Sequence, residues 1–281
     1  MKKIGDIEVS SDEEILDLLK RLYKIASFTE EEASFDLSGT YALLWNGQIR
    51  RFYPVKRVVK LDLDNLLNID QQKKKVLSNT TNFIKGKPAN NVLLWGEKGT
   101  GKSSLIKGLI KKFSSVGLRM IQVFNQDILT IHYIYDFVSK YSYYRFIIFI
   151  DDLSFEENQK DYRALKTILD GGLEEIPENV LFYATSNRKH LVPTRFSDRD
   201  DDLIRPSDNL EEKISLVDRF GLRLGFYRFD EESYLKIVDM YANKAKIKFE
   251  KEKLHLLAKQ WALEAGCRNG RVAEQFIKSL S

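Results

Sequence analysis

The sequence is poor in cysteine and has no long apolar run. Its only cysteine, Cys267, has no disulfide partner among the 281 residues, which excludes a disulfide-stapled fold and favours a reducing compartment. The strongest continuous apolar run, residues 146–150, is far shorter than the roughly 20 residues of a membrane-spanning helix. The N-terminus meets acidic residues before any apolar stretch, unlike a secretory signal. We therefore expect a soluble, cytoplasmic protein without a membrane span.

Neither the charge nor the histidines single out a class of protein. Lys and Arg number 45 against 41 Asp and Glu, a net charge of +4, so a nucleic-acid-coating protein is not indicated, although a local basic patch stays open. His132, His190 and His255 lack the spacing of metal ligands. The function must therefore be sought in local motifs.

The N-terminal quarter of the chain shows mixed patterns. Residues 12–27 carry apolar side chains at helical spacing, and residues 41–60 combine aromatic and β-branched residues with Gly47 and Pro54, which indicates a hairpin or irregular strands. We interpret residues 1–65 as a small N-terminal appendage.

Strand-like and helical patterns then alternate, which predicts an α/β core, residues 66–229, with a parallel five-stranded sheet between helices. After residue 229 the strand patterns stop, and three amphipathic helices are predicted as a separate unit, residues 230–281. The predicted strands are residues 92–95, 119–124, 146–150, 180–185 and 222–229, and the predicted C-terminal helices are residues 231–245, 250–265 and 269–280.

A phosphate-binding motif follows the first predicted strand. Residues 96–103 match the P-loop pattern G-x-x-x-x-G-K-[ST] between a strand and a helix, the context that this motif requires. Glycines let successive N–H groups turn towards phosphate oxygens, and the helix N-terminus adds its dipole. We expect Lys102 to reach the β- and γ-phosphates of ATP and Ser103 to ligate Mg²⁺; the alternative is a glycine-rich turn without function. The predicted nucleotide-binding residues of the loop are Gly96, Glu97, Lys98, Gly99, Thr100, Gly101, Lys102, Ser103 and Ser104.

Two acidic residues end the third predicted strand. Asp151 and Asp152 follow residues 146–150, and ligands of open α/β sheets bind at the carboxyl ends of strands. We expect Asp151 to hold Mg²⁺ and Asp152 to polarise the attacking water. Glu156 is a second candidate base, and an acidic pair that merely ends a strand is the alternative.

Ordered blocks along the chain resemble the bacterial AAA+ family catalogued as domain-of-unknown-function 815. The blocks are NIDQQ (68–72), NT (79–80), PANNVLLWG (88–96), DDLSF (151–155), YATSNR (183–188), DRFGL (218–222) and GRVA (270–273). The resemblance spans roughly residues 40–281. It implies an AAA+ P-loop NTPase core followed by a C-terminal helical lid, and a protein that binds ATP or ADP with Mg²⁺.

The resemblance also implies roles for single residues. Asn187 looks like sensor 1, which contacts the γ-phosphate or the water, and Arg271 looks like sensor 2, which reaches the phosphates from the lid. Arg219 resembles the box VII arginine that one subunit offers to a neighbour's nucleotide, which implies a nucleotide-dependent homo-oligomer; an ion pair with Asp218 or another nearby acid is the alternative. Ile69 is a candidate adenine contact, with simple core packing equally open.

Three hypotheses follow for the function. The leading one is an ATPase that hydrolyses Mg-ATP to remodel an unidentified protein or nucleic-acid partner. The second is a slow-turnover, nucleotide-switched binding module similar to helicase loaders, with nucleic acid or a replication protein as its partner. The net basic charge and the resemblance of residues 218–221 to the bacterial replication initiator favour it. Asp152 is also one methylene shorter than the glutamate of most hydrolysing AAA+ proteins, so the sequence supports nucleotide binding more firmly than turnover. A P-loop metabolite kinase is disfavoured because it leaves Arg219 and Arg271 without a role.

Overall fold

The computed structural model describes residues 2–4, 7–9, 16–17, 36–59, 61–155, 161–171, 175–188, 191 and 216–280. The helix predicted over residues 12–27 lies outside this part of the chain except at positions 16 and 17, and Glu156 lies outside it altogether. Two short strands at the N-terminus, Lys2–Ile4 (β1) and Ile7–Val9 (β2), form an antiparallel pair separate from the main sheet.

The main sheet has seven strands in the order β4-β3-β6-β7-β8-β5-β9. Five of them, β6, β7, β8, β5 and β9, are mutually parallel and occupy the predicted positions. The prediction of a five-stranded sheet is wrong, because β3 adds to β6 in parallel and β4 pairs antiparallel with β3. The strands are Ala42–Asn46 (β3), Arg51–Pro54 (β4), Val92–Gly96 (β5), Leu118–Val123 (β6), Arg145–Ile150 (β7), Val180–Ser186 (β8) and Leu222–Phe226 (β9).

The two additional strands come from residues 41–60, inside the segment interpreted as an appendage. Leu43 and Trp45 of β3 are 1% and 2% exposed, and both lie in the same core cluster as the central strand β7. Their burial explains the extension, because an unpaired β6 edge would leave these apolar side chains and a row of backbone groups uncovered.

Helices cover both faces of the sheet. On β7, Phe146, Ile148 and Ile150 belong to one apolar cluster and the alternate residues Ile147 and Phe149 to the other, as the two-residue repeat of a strand requires. The helices α1 and α2 pack on the second cluster, and α3 and α4 on the first. These helices are Asp70–Ile84 (α1), Lys102–Phe113 (α2), His132–Ser139 (α3) and Asp161–Asp170 (α4).

Three further helices follow the sheet and match the predicted positions within one residue at each end. They are Glu231–Ala245 (α5), Lys251–Glu264 (α6) and Gly270–Ser279 (α7). They bury a third apolar cluster of their own, which includes Tyr234, Ala258 and Phe276. Asp230 caps α5 by accepting from Ser233 N at 2.8 Å. A lid is defined by its contact with bound nucleotide, so the lid role of these three helices stays a proposal.

Among the described residues, no helix has both the length and the apolar character that crossing a membrane requires.

Candidate nucleotide-binding site

A cavity of about 540 Å³ lies at the carboxyl edge of the sheet, between the P-loop, the ends of β7 and β8, and helices α5 and α7. The structure brings most of the predicted site residues to it. Three predicted residues, Gly96, Glu97 and Arg219, do not line it. The predicted residues that line it are Ile69, Lys98, Gly99, Thr100, Gly101, Lys102, Ser103, Ser104, Asp151, Asp152, Asn187 and Arg271.

The P-loop backbone requires glycine where the strand becomes the loop and where the loop becomes helix. Gly96 has φ +125°, and a Cβ there would stand 2.0 Å from the carbonyl oxygen of Phe226 on β9. Gly101, at φ +99°, is the N-cap of α2 and accepts from Leu105 N at 2.8 Å. Residues 101–104, which open α2, line the cavity, and the N–H groups of a first helical turn have no acceptor within their helix, so this helix start can bind an anion there.

Lys102 lies at the bottom of the cavity and is only 6% exposed. Its ammonium donates to the carbonyl oxygens of Gly96 and Glu97, both at 2.7 Å, and to Asn187 Oδ1 at 3.3 Å. These three acceptors use the three donors of an ammonium group. Burial lowers the pKa of Lys102 below its usual range, against the opposing charges of Asp152, Glu97 and Asp151.

Asp151 is the most heavily bonded carboxylate of the site. Its Oδ1 accepts from Ser103 Oγ at 2.5 Å and from Thr185 Oγ1 at 2.6 Å, while Oδ2 pairs with Lys107 Nζ at 3.1 Å. Burial raises the pKa of Asp151, but the hydrogen bonds from Ser103 and Thr185 and the charge of Lys107 outweigh it, so the pKa lies below its ordinary value.

Asp152 has a strained backbone and a single described side-chain partner. Its φ is +56°, which is uncommon for a residue other than glycine, and its N–H donates to Thr185 Oγ1 at 2.9 Å. Its Oδ1 accepts a short hydrogen bond from Asn187 Nδ2, and its carbonyl accepts from Asn125 Nδ2 at 3.2 Å. Lys102, Asn187 and Asp152 therefore form one connected polar chain across the cavity floor.

The C-terminal helices close one side of the cavity. Gly270 N, in the first turn of α7, donates to the P-loop carbonyl of Gly99 at 2.9 Å, and the side chain of Asn269 fills the space beside Gly99. Asn269 also caps α7 by accepting from Val272 N at 2.9 Å. Arg271 is thereby held at the cavity, one residue beyond this contact.

One wall of the cavity is apolar. Leu66, Ile69 and Ile237 line it together with the aromatic rings of Phe229 and Tyr241. Ile69 is 3% exposed and also belongs to the core cluster beneath α2, so it contributes to the packing as well as to the wall. A flat apolar base fits such a wall beside a polar phosphate end.

Arg219 lies away from the cavity. Its Nε pairs with Asp170 Oδ1 at the end of α4 at 2.5 Å, and its side chain is 45% exposed. Asp218 pairs instead with Arg223 at 2.7 Å. The ion pair with a nearby acid, the alternative weighed for Arg219, is therefore present within a single chain, and a role at a neighbour's nucleotide stays a prediction.

Two residues that contribute to the site, Thr185 and Lys107, were not predicted from the sequence. Thr185 is the penultimate residue of β8, and the register that places Ala184 opposite Ile150 puts Thr185 beside Asp151. Lys107 stands four residues after Ser103, hence on the same face of α2. Both could have been inferred from the strand order and from helical spacing, once the adjacency of β7 and β8 was assumed.

The side chains fit a magnesium ion bound together with phosphates. Mg²⁺ takes oxygen ligands and is usually held by one or two carboxylates plus phosphate and water. Ser103 Oγ and the Asp151 carboxylate supply such oxygens side by side. In the described ranges no group of three or more His, Cys, Asp or Glu forms an all-protein metal cage. Ser103 and Asp151 are therefore the residues that would hold the ion.

Several solved structures of RuvB from Thermotoga maritima are similar in fold to this chain. One RuvB mutant superposes with a TM-score of 0.50 at 17% identity over 79% of this chain and 65% of that one, so the chain spans less than two thirds of its length. The structure titled RuvB Holliday junction branch migration motor gives 0.47, at 15% identity over 79% and 72%. At such identity the likeness concerns the fold alone, and it confirms the predicted resemblance to AAA+ P-loop proteins.

The family model described as a protein of unknown function, DUF815, matches residues 38–281. The chain therefore belongs to the DUF815 family, as the sequence blocks predicted. Comparison with curated proteins gave no match.

Proposed function

We propose that this protein binds Mg-ATP in the cavity and hydrolyses it to ADP and phosphate to drive remodelling of a partner. One observation carries the proposal. The P-loop Lys102, Asn187 and Asp152 form one hydrogen-bonded chain, and the hydrogen-bonded pair Ser103–Asp151 lines the same cavity. This combination supports phosphoryl transfer to water more directly than any single motif does.

Nucleotide binding would begin with an exchange of partners at Lys102. The ammonium now bonds the carbonyls of Gly96 and Glu97, and phosphate oxygens would replace these neutral acceptors with charged ones. The amides that open α2 would add donors to the same phosphates. Mg²⁺, when bound at Ser103 and Asp151, would neutralise part of the phosphate charge. The apolar wall at Ile69 and Tyr241 would take the base.

Hydrolysis would rest on Asp152 and Asn187. Asp152 accepts the proton of the attacking water, and Asn187, which now bonds the Asp152 carboxylate, orients the water or the γ-phosphate. Arg271 reaches the phosphates from α7, which packs on the P-loop through Gly270. In this proposal residues 66–229 form the nucleotide-binding core, and residues 230–281 form its lid.

Steady-state phosphate release tests the assignment. We expect Lys102→Ala to abolish both the stabilisation by Mg-ATP and phosphate release, and Asp152→Asn to keep the stabilisation but slow release by about 10²–10⁴-fold. Wild-type stabilisation should be about 2.7 kcal/mol at a hundredfold excess over Kd. Lys111→Ala, on the same helix but paired at the surface with Asp62, is the matched control. Equal release rates in all four proteins would refute the proposal.

Assembly is the second part of the proposal. A neighbouring subunit would receive Arg219, whose side chain is half-exposed and so is available to a partner once it leaves Asp170. Native mass measurement with and without ATP tests this. The expected result is an oligomer that forms with nucleotide in wild type and not in Arg219→Ala. A strict monomer at all concentrations would refute the role of Arg219 in assembly.

A cytoplasmic location, predicted from the single cysteine among other features, is also part of the proposal.

A slow-turnover, nucleotide-switched binding module is the second candidate function. The observation that favours it is the hydrogen bond between Asp152 and Asn187, because a short acid engaged by an amide is poorly placed to take a proton. Single-turnover measurements separate the two candidates. Slow hydrolysis, together with nucleic-acid retention that requires ATP and weakens with salt, would favour the switch.

A further inference from the structure

A basic segment, residues 47–59, forms the outer border of the sheet. It comprises the turn after β3, strand β4 and the segment that follows, and we call it the basic hairpin. It contains no acidic residue in a chain whose overall charge is nearly balanced. Its cationic residues, all exposed, are Arg50, Arg51, Lys56 and Arg57.

Most of these cations have no acidic partner. Within the part of the chain that the structure describes, Arg50, Lys56 and Arg57 form no ion pair, whereas the surface cations Lys111, Lys236 and Lys278 each pair with an acid. Arg50 instead places its guanidinium 4.1 Å from the ring centroid of Tyr133. The basic hairpin therefore presents uncompensated positive charge to an external partner.

Aromatic side chains interleave with these cations. Phe52 turns inward and packs on Trp45 and Phe137 at centroid distances of 4.6 and 4.2 Å, which anchors β4 to the core. Arg51 and Tyr53, two residues apart, share the opposite face. The Arg51 guanidinium lies 5.8 Å from the Tyr53 ring, and Tyr53 is 42% exposed. Exposed rings beside cations on a rigid strand are what single-stranded nucleic acids stack on.

A peptide that pairs as an extra strand with β4 is a poorer candidate for the partner than a nucleic acid, because of the backbone of β4. β4 is the edge strand of the sheet, but it is four residues long and ends in Pro54, which has no N–H to donate. Charged side chains and proline are features that discourage edge pairing. An acidic peptide would therefore have to bind through charge alone, whereas a nucleic acid uses both the cations and Tyr53.

The turn of the basic hairpin also lies on the sheet edge that carries the nucleotide cavity. β3 runs parallel to β6, so its carboxyl end at Asn46 points the same way as the ends of β7 and β5. Four inter-strand spacings separate β3 from β5, about 19 Å along the edge. Only the turn lies at this edge, because β4 runs antiparallel to β3 and Lys56 and Arg57 follow Pro54, which is opposite Leu43 at the other end of the strand. A single strand bound along the hairpin would thus reach the cavity edge at Arg50 without entering the nucleotide site.

We propose that the basic hairpin binds a single-stranded nucleic acid, with phosphates on its Arg and Lys side chains and a base stacked on Tyr53. This inference deepens the second candidate function by giving it a surface. The inference rests on that candidate only for its switch, because charge and stacking at the hairpin need no nucleotide. Binding is therefore measured with and without ATP: binding in either state supports the hairpin, and an affinity that rises with ATP in wild type but not in Lys102→Ala supports the switch separately.

Fluorescence anisotropy with a labelled oligothymidylate of about 20 nucleotides measures the binding. For single strands the logarithm of the affinity falls by about 0.7 per neutralised phosphate for each tenfold rise in salt. The double substitution Lys56→Gln with Arg57→Gln should therefore lower the salt slope by about 1.4 and weaken binding about 25-fold near 0.1 M salt. Tyr53→Ala should weaken it at least about fivefold without changing the slope.

Matched controls separate a site from general charge. Lys244→Gln with Lys248→Gln removes the same charge from exposed positions on and after α5 and should leave the affinity within about twofold. The swap Lys56→Arg with Arg57→Lys should retain binding, and circular dichroism verifies that each variant folds. The proposal is overturned if wild type fails to bind at low salt, or if the Lys244/Lys248 variant loses as much affinity as the glutamine variant of Lys56 and Arg57. It is also overturned if poly-glutamate displaces the oligonucleotide at equal charge concentration, which would indicate an acidic protein partner.

Discussion

Replacement of Thr185 by valine tests whether one hydroxyl organises both acids of the site. Thr185 is 1% exposed at the end of β8, and its Oγ1 donates to Asp151 at 2.6 Å while accepting from Asp152 N at 2.9 Å. Valine has nearly the same shape, so no cavity is created, but the carboxylate loses a donor and the N–H of Asp152 loses its acceptor. Hydrogen bonds to charged groups contribute about 1.5–3 kcal/mol, and an unsatisfied buried donor costs about 1–3 kcal/mol.

We expect Thr185→Val to lower the free energy of unfolding by about 3 kcal/mol, because Ser103 and Lys107 continue to bond Asp151 and moderate the loss. Urea denaturation at constant m-value measures this change. Thr185→Ser is the control, since it keeps the hydroxyl and removes one methyl group, at a cost of about 1 kcal/mol. If the valine variant proves as stable as the serine variant, the hydroxyl does not organise the acids.

The same substitution predicts a pH dependence. The pKa of Asp151 is lowered from 3.8 in the folded chain, so its contribution to stability is complete above that value and is lost as the pH falls through the lower, folded pKa. Removal of the Thr185 donor moves the folded pKa of Asp151 upwards. The stability difference between wild type and Thr185→Val should therefore be largest near neutral pH and shrink below about pH 4. A difference that grows on acidification would contradict this assignment.

Three further predictions follow from single contacts. Gly96→Ala should lower the free energy of unfolding by at least about 2 kcal/mol in urea denaturation, because the added Cβ would lie 2.0 Å from Phe226 O. The control Gly266→Ala, at φ +67° with nothing within 4 Å of the added Cβ, should cost only about 1 kcal/mol. Equal losses in the two variants would contradict the clash at Gly96. Lys107→Met should raise the apparent Mg²⁺ affinity in ADP-dependent thermal shifts, because the ion no longer competes with an ammonium group for Asp151. The control Lys111→Met, which loses a surface pair with Asp62, should leave the Mg²⁺ affinity unchanged. An unchanged affinity in Lys107→Met would refute the competition. Asp170→Asn should change the free energy of unfolding by less than about 1 kcal/mol, because its pair with Arg219 is partly exposed, and a larger loss would show that the pair is structural.

The parts of the site that sequence reasoning predicted are those that a short stretch of chain defines. The P-loop needs only the fixed spacing of Gly96, Gly101 and Lys102, and the acids were found because the apolar run of residues 146–150 stops just before Asp151. Asn187 was found in the same way, one residue after β8. In each case the local pattern fixes both the element and the position of the side chain at its end.

The parts that sequence reasoning missed depend on pairings between distant segments. Ala42 lies opposite Met120, and neither segment contains a signal for the other, so the sheet was predicted two strands too narrow. Two of the three side-chain partners of Asp151 were missed for the same reason, since Thr185 is placed by strand register and Lys107 by the packing of α2 on the sheet. Side chains that meet across elements become visible only when the order of the strands is known.

The parallel addition of β3 to β6 has a practical consequence for truncated versions of this protein. A chain that starts at residue 66 would lose the strand that covers β6 and with it the packing of Leu43 and Trp45. The exposed backbone of β6 would then be a ready template for another copy, and such edges promote aggregation. An expressed fragment that retains residues 36–65 should stay dispersed where the shorter fragment precipitates.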